Sequence, residues 1–231
     1  ALAASRHMHV YGTTPEQLAS VAVSARQWAN LNPEAFRQGP LSIDDALSTR
    51  LIADPLRVAD CCLVTDGAAA VVMTRADRAK DLRKPPISLL GVASATWHSE
   101  ISQLDDLTVT AATESGARAF AQAGLTVADV DVVNVYDAFT INTILFLEDL
   151  GFCRKGEGGP FIASGAISPG GTLPVNTNGG GLSFCHPGMY GLFTMVESIR
   201  QLRNEAGARQ IAGAEIALAH GNGGTLSSQA T

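Results

Sequence analysis

Leu18, Val21, Ala22, Ala25, Trp28 and Ala29 recur at spacings of three and four, a stripe that falls on one face of a helix. Thr14-Pro15-Glu16-Gln17 precedes the stripe with a capping-box pattern and proline at the first helical position, so a helix is predicted to begin there. Between residues 30 and 57 the prolines Pro33, Pro40 and Pro55 break every periodic run, and Ser42 to Asp45 can cap only a short helix. Two apolar segments follow, Cys61 to Thr65 and Ala68 to Thr74. Asp66-Gly67 between them is a hairpin signal, which predicts neighbouring antiparallel strands.

A polar, helix-like run from Arg75 to Lys84 ends at Pro85-Pro86, the sharpest boundary in the chain, dividing residues 1–85 from 86–231. Beyond it the pattern alternates. Ile87 to Ala95 reads as a strand, Thr110 to Ala123 as a helix stopped by Gly124, Val130 to Val135 as a buried strand, and Ala138 to Leu150 as a helix stopped by Gly151. A helix from Met189 to Asn204 would bury Leu192, Phe193, Val196, Ile199 and Leu202. Glu215 to Ala219 is a strand running into His220-Gly-Asn-Gly-Gly224, and Leu226 to Thr231 begins one more. Such alternation predicts an α/β fold with a mostly parallel sheet covered by helices.

Hydrophobic residues make up 46% and charged residues 16%, a core-rich composition that excludes disorder. The formal net charge of −6 argues against nucleic acid or an anionic membrane surface as partner. No apolar run reaches the roughly 18 residues of a membrane span, and Ala1 to Ser5 lacks the regions of a signal peptide. The first residue is not Met, and the chain reads as entering the interior of a domain. Cys61, Cys62, Cys153 and Cys185 show no metal-ligand spacing, so no metal site is expected, and a reducing cytoplasm fits them best.

Residues 151 to 191 hold 12 of the 23 glycines, more than a simple connection needs, and a long glycine-rich loop in a compact domain is usually functional. Its last part runs from Asn178 to Gly191. Gly179, Gly180 and Gly181 allow positive φ or close backbone approach to a ligand. His186 and Tyr190 fall at a loop-to-helix junction, where free N–H groups and the helix dipole suit an oxyanion or anionic ligand. A tight turn around a buried histidine is the alternative.

Taken together, Tyr136-Asp137-Ala138-Phe139, Cys185-His186-Pro187-Gly188 and His220-Gly-Asn-Gly-Gly224 resemble the three C-terminal active-site motifs of the thiolase superfamily. The branch most similar is the sterol-carrier-protein or lipid-transfer-protein type. Asp60-Cys-Cys-Leu-Val-Thr-Asp-Gly-Ala-Ala-Ala70 also looks like a strand pair of the first thiolase half. The resemblance implies a layered fold of two βαβαβαββ halves, helices on both sheet faces, plus a loop region that helps hold coenzyme A. Residues 1–85 then look like part of the loop region with the last strands of the first half, and residues 86–231 like the second half. The nucleophilic cysteine of such enzymes would lie in a front part not represented here, as in a fragment, a processed product or one piece of a split enzyme.

The departures from the family pattern point to the chemistry. Similar enzymes have His-Asp-Cys-Phe where this chain has Tyr136-Asp137-Ala138-Phe139, and others carry a Cys-x-Gly motif where this chain has the His220 loop. Thiolysis needs a thiolate and a second acid/base group, and Ala138 supplies neither. Cys185, beside His186, is the one substitute thiol. The resemblance places a thioester oxyanion site at His186, makes Tyr136 and Tyr190 the base and acid candidates of a retro-aldol cleavage, and leaves Asp137, Cys185, His220 and Gly223 supporting them. Gly179, Gly180 and Gly181 would face the CoA substrate. Each has a plainer reading: Tyr136 as core, Asp137 as the cap of the next helix, His220 as a satisfied loop histidine. The expectation is C–C cleavage of a bulky, steroid-like acyl-CoA without a tightly bound cofactor, with thiolytic acyl transfer or a non-catalytic CoA- or lipid-binding scaffold as alternatives. The resemblance also implies a homodimer and a small OB-fold, zinc-ribbon partner that helps hold the thioester.

Overall fold

The computed structural model describes all of residues 1–231. Helix α1 (Leu2–Tyr11), which the periodicity did not reveal, ends at Gly12 with φ 73° and buries His7. Helix α2 (Pro15–Asn30) starts as its sequence requires. The Thr14 N–H donates to Gln17 Oε1 at 3.0 Å, and the Thr14 hydroxyl accepts from the Gln17 N–H at 3.4 Å. Its apolar stripe buries Leu18, Val21, Ala25 and Trp28, and the Trp28 indole N–H reaches the Ile167 carbonyl at 2.9 Å.

The short helix α3 (Ile43–Ser48) has Ser42 as its cap, and a small ribbon of β1 (Leu51–Ala53) and β2 (Leu56–Arg57) follows. The hairpin expected over residues 61–74 is not formed. This stretch bonds to distant backbone instead: the Cys62 N–H to the Ala138 carbonyl and the Leu63 N–H to the Gly181 carbonyl, both at 2.9 Å. Val64 and Val72 stand 96% and 89% exposed, so their apolar pattern meets no ladder or core within this chain. Helix α4 (Ala76–Ala79) is all that forms of the polar run before Pro85-Pro86.

Past the diproline come β3 (Ser94–Thr96), α5 (Ala112–Ala123), β4 (Val132–Val135), α6 (Thr140–Asp149), α7 (Gly158–Ala163), a π-type turn at Gly180–Phe184, α8 (Gly191–Leu202), β5 (Ala217–Gly223) and β6 (Ser228–Ala230). The four-stranded sheet has the order β3-β6-β5-β4. Only β4 and β5 are parallel, with Val135 opposite His220, whereas β5/β6 and β3/β6 are antiparallel. The expectation of a mostly parallel sheet is corrected by connection length. The long α6–α8 crossover allows the parallel pair, while the short turn between β5 and β6 permits only a hairpin. The residues read as a loop, His220 to Gly223, are therefore strand. The strand expected over 87–95 shrinks to β3, with Ala93 exchanging two 2.9 Å bonds with Thr231.

Side chains alternate across the sheet. Asn134 turns to α8, where its amide donates to the Ser198 hydroxyl at 3.0 Å, and His220 turns the other way, 4.7 Å from the Phe146 ring of α6. Helices thus cover both faces. One hydrophobic core draws on Leu18, Val21 and Leu56 as well as Val133, Val135, Phe146 and Leu218, so residues on both sides of Pro85-Pro86 share it. Breaking that core at one large aliphatic side chain costs about 2–5 kcal/mol. No helix is long and apolar enough to cross a membrane.

Candidate active site

Strand β4 delivers Tyr136 and Asp137 to the edge of the sheet, and the Tyr136 N–H extends the β4/β5 pairing by bonding the His220 carbonyl at 3.0 Å. Asp137 is fully buried and turns into the glycine loop. It accepts from the Gly181 N–H at 2.6 Å and the Leu182 N–H at 3.4 Å. Burial raises its carboxyl to about 7, against the pull of those backbone donors. The cap of α6 is Phe139, so Asp137 is not its cap.

The glycines serve this clamp. Gly180 has φ 64°, and a Cβ there would run into the Asp137 carboxylate; at Gly179, with φ 103°, a Cβ would sit 2.7 Å from the Ala29 methyl. Their N–H groups are used internally as well, Gly179 to the Asn176 carbonyl and Gly180 to Asn178 Oδ1, each at 2.8 Å. Ala29 and Asp137 require the smallness of Gly179 and Gly180, and the N–H groups of Gly179, Gly180 and Gly181 are all taken within the chain.

The same loop brings His186 and Tyr190 against Tyr136. The Tyr136 ring meets His186 edge-on at 5.4 Å and Tyr190 edge-on at 5.8 Å, while His186 and Tyr190 stack at 6.1 Å with 16° between planes. Phe193 of α8 closes the stack on the far side of Tyr190 at 5.7 Å. The Tyr136 hydroxyl donates to the Gly188 carbonyl at 3.3 Å, a weak bond. Tyr190 is 1% exposed and its hydroxyl donates to Asn178 Oδ1 at 2.9 Å. Burial raises both phenols above the ordinary tyrosine value, so both keep their protons at neutral pH. His186 differs. Burial lowers its imidazole below 6.5, and its Nε2 is a buried atom with no hydrogen-bond partner. An imidazole with an unpartnered Nε2 thus lies beside two phenols.

Cys185 is held in the thiol form. Burial, with Asp137 nearby, pushes its thiol up to about 12, and Cys62 is pushed to about 11 by the same causes. His220 adjoins Tyr136 through its backbone, but its buried ring bonds other groups. Its Nε2 faces Gln229 Oε1 and its Nδ1 the Thr231 hydroxyl, both at 2.9 Å. The Gln229 amide donates to Asn222 Oδ1, which leaves its oxygen to accept from His220; the imidazole is thus neutral, with its proton on Nε2. Burial lowers its pKa to about 4. Gly223 is paired with Ser228 in the hairpin, so it supports β6 and touches none of the reactive groups.

Two residues that sequence reasoning missed hold the loop. Thr65 binds the His186 backbone twice: its hydroxyl accepts from the His186 N–H at 2.9 Å, and its own N–H donates to the His186 carbonyl at 3.4 Å. Nothing local marks a contact across 121 positions. Asn178 was legible, because an asparagine two residues before a glycine favours the Asx-turn it forms with the Gly180 N–H. A cavity of about 360 Å³ between α5, α8, β5 and residues 87–92 is mostly apolar and excludes Tyr136, His186 and Tyr190 from its lining.

Residues 93–231 match the thiolase C-terminal domain-like family, more than half of the chain. The chain belongs to that family. This thiolase-like chain is 43% identical over 227 residues to the acetyl-CoA acetyltransferase of Methanothermobacter thermautotrophicus, covering 97% of the chain and 59% of that protein. It is 41% identical over 229 residues to the 17-hydroxy-3-oxo-4-pregnene-20-carboxyl-CoA lyase of Mycobacterium tuberculosis, covering 94% of the chain and 57% of the lyase. Among solved structures, the Ltp2-ChsH2(DUF35) aldolase superposes with a TM-score of 0.89 at 32% identity, over 100% of this chain and 61% of that one. The thiolase-like chain therefore spans about three fifths of the length of such relatives. Of these two relatives, each named for a CoA compound, one is an acetyltransferase and the other a lyase.

Proposed function

We propose that this chain carries the acid–base site of an enzyme that cleaves a C–C bond in a bulky β-hydroxy acyl-CoA by retro-aldol chemistry. One observation carries the reading. Tyr136 and Tyr190, both protonated, enclose the neutral, unpartnered His186, while the nearby thiols Cys62 and Cys185 are held far from thiolate.

In this reading the His186 Nε2 takes the proton of the substrate's β-hydroxyl, and the electron pair of that O–H bond becomes the C=O of a ketone. The Cα–Cβ bond breaks, and its pair passes to the thioester as an enolate. Tyr136 hydrogen-bonds and then protonates the enolate at Cα, giving the shortened acyl-CoA. The imidazolium of His186, 5.4 Å from the Tyr136 ring, returns the proton to the phenolate. The net result moves one proton from hydroxyl to carbon. No acyl-enzyme forms, and the fixed donors supply the charge stabilisation that dominates such reactions.

Coenzyme A enters only as part of the substrate. A steroid body for the acyl group follows the name of the lyase relative. The assembly we favour is a homodimer with a small OB-fold, zinc-ribbon partner, as the aldolase neighbour's pairing with a DUF35 protein suggests, working in the cytoplasm. Thiolytic acyl transfer is the second reading, favoured by the acetyltransferase relative. The intact protein, given a β-hydroxy acyl-CoA and no free CoA, should release a ketone and a shorter acyl-CoA in equal amounts. A strict requirement for free CoA would overturn the aldolase reading.

A further inference from the structure

Asn178 is 3% exposed, and its side-chain oxygen takes two hydrogen bonds, from the Gly180 N–H at 2.8 Å and the Tyr190 hydroxyl at 2.9 Å. A backbone N–H can only donate, so the amide atom facing it is the oxygen. The phenol sharing that oxygen must then be a donor as well. The Tyr190 proton therefore points at Asn178, and the ring is fixed at its far end.

That anchor is itself anchored. The Asn32 side chain donates to the Asn178 carbonyl at 2.9 Å, tying the loop to the end of α2. Gly180 lies beside Gly181, whose N–H binds Asp137. One amide thus joins Tyr190 to the turn that clamps Asp137. Tyr190 in turn stacks on His186 and meets Tyr136 edge-on, so its tilt sets the spacing of both groups.

We propose that Asn178 is a positioning residue: by holding the Tyr190 hydroxyl it fixes the Tyr190 ring, and through that ring keeps His186 and Tyr136 aligned for proton transfer. This rests on the retro-aldol reading. The Asn178 side-chain oxygen is taken by its two internal donors.

The test is a double-mutant cycle in the intact protein, with a second readout that does not need turnover. Asn178→Ala and Tyr190→Phe should each lower kcat by about tenfold or more with little change in KM, as expected of misplaced reacting groups. The double variant should be no slower than the slower single, because both remove one linkage. Asn178→Asp, which keeps the acceptor, should recover most of the loss. Additive losses, or a loss confined to KM, would overturn the proposal. Residues 1–231 contain three tyrosines, Tyr11, Tyr136 and Tyr190, and each Tyr→Phe variant assigns its own resonance in a protein labelled with 13C at tyrosine Cζ. Asn178→Ala should move the Tyr190 resonance and leave Tyr11 in place; an unmoved Tyr190 resonance overturns the proposal. Should the alanine variant not fold, Tyr190→Phe should shift the Asn178 side-chain amide signals, and unchanged signals count against it. Shifted resonances in a protein without CoA-independent cleavage would keep the hold on Tyr190 and remove the reaction.

Discussion

The edge of the Tyr136 ring meets His186 at 5.4 Å between centroids, with 80° between planes, which sets a phenol that keeps its proton beside an imidazole whose Nε2 is buried and unpartnered. In the proposed reaction the pair sets the direction of proton flow. Because burial lowers His186 below 6.5, it is ready to accept at neutral pH, and because burial raises Tyr136 above 10, the phenol is ready to donate. The kcat/KM profile should therefore rise with pH through a single ionisation below 6.5 and stay level to about pH 10. A profile that keeps climbing toward pH 10 would mean that a phenolate is the base.

Gly181 tests the geometry of that pair without touching its chemistry. A Cβ there would lie 2.9 Å from His186 Cδ2 and 3.2 Å from the Asp137 carbonyl, so Gly181→Ala must push the imidazole. The expected outcome is a chain that folds and loses cleavage by about a hundredfold. Gly180→Ala should instead be a stability variant. It combines φ 64° with a clash on the Asp137 carboxylate, and a loss of about 2 kcal/mol or more is expected from urea midpoints.

Two buried groups set opposing pH dependences of stability. Asp137 binds its proton more tightly in the folded chain, at about 7 against 3.8 unfolded. Its contribution is present below about pH 4 and is lost as pH rises through 7. His220 binds its proton less tightly, at about 4 against 6.5, so its contribution is present above 6.5 and lost as pH falls to 4. Each slope approaches about 1.4 kcal/mol per pH unit, and between pH 4 and 6.5 they cancel. Asp137→Asn should make stability rise with pH over that window, and His220→Asn should make it fall. Unchanged slopes in both variants would show that neither group titrates as its burial requires.

How much of this was legible in the sequence depended on how local its causes are. The start of α2 is written in four adjacent residues, Thr14 to Gln17, and the stop of α5 in Gly124, so both were readable. The buried strand β4 was readable because its apolar run needs no particular partner. Residues 61–74 were misread because their backbone partners are Ala138, Gly181 and His186, far along the chain. The glycine run was legible as special, but its contacts with Ala29 and Asp137 were not, because only the fold supplies them. Tyr136, His186 and Tyr190 were picked out by motif and do come together; their protonation states follow from burial, which the sequence does not display.

The central claim is that cleavage runs through the phenol and imidazole and not through a thiol. The most direct measurement is the rate of CoA-independent cleavage of a β-hydroxy acyl-CoA by the intact protein, compared between Tyr136→Phe and Cys185→Ala. Loss of the Tyr136 hydroxyl should cost about a hundredfold or more, and Cys185→Ala should cleave within a few-fold of the unaltered protein. Cleavage that survives in Tyr136→Phe, vanishes in Cys185→Ala and depends on added CoA would contradict the account.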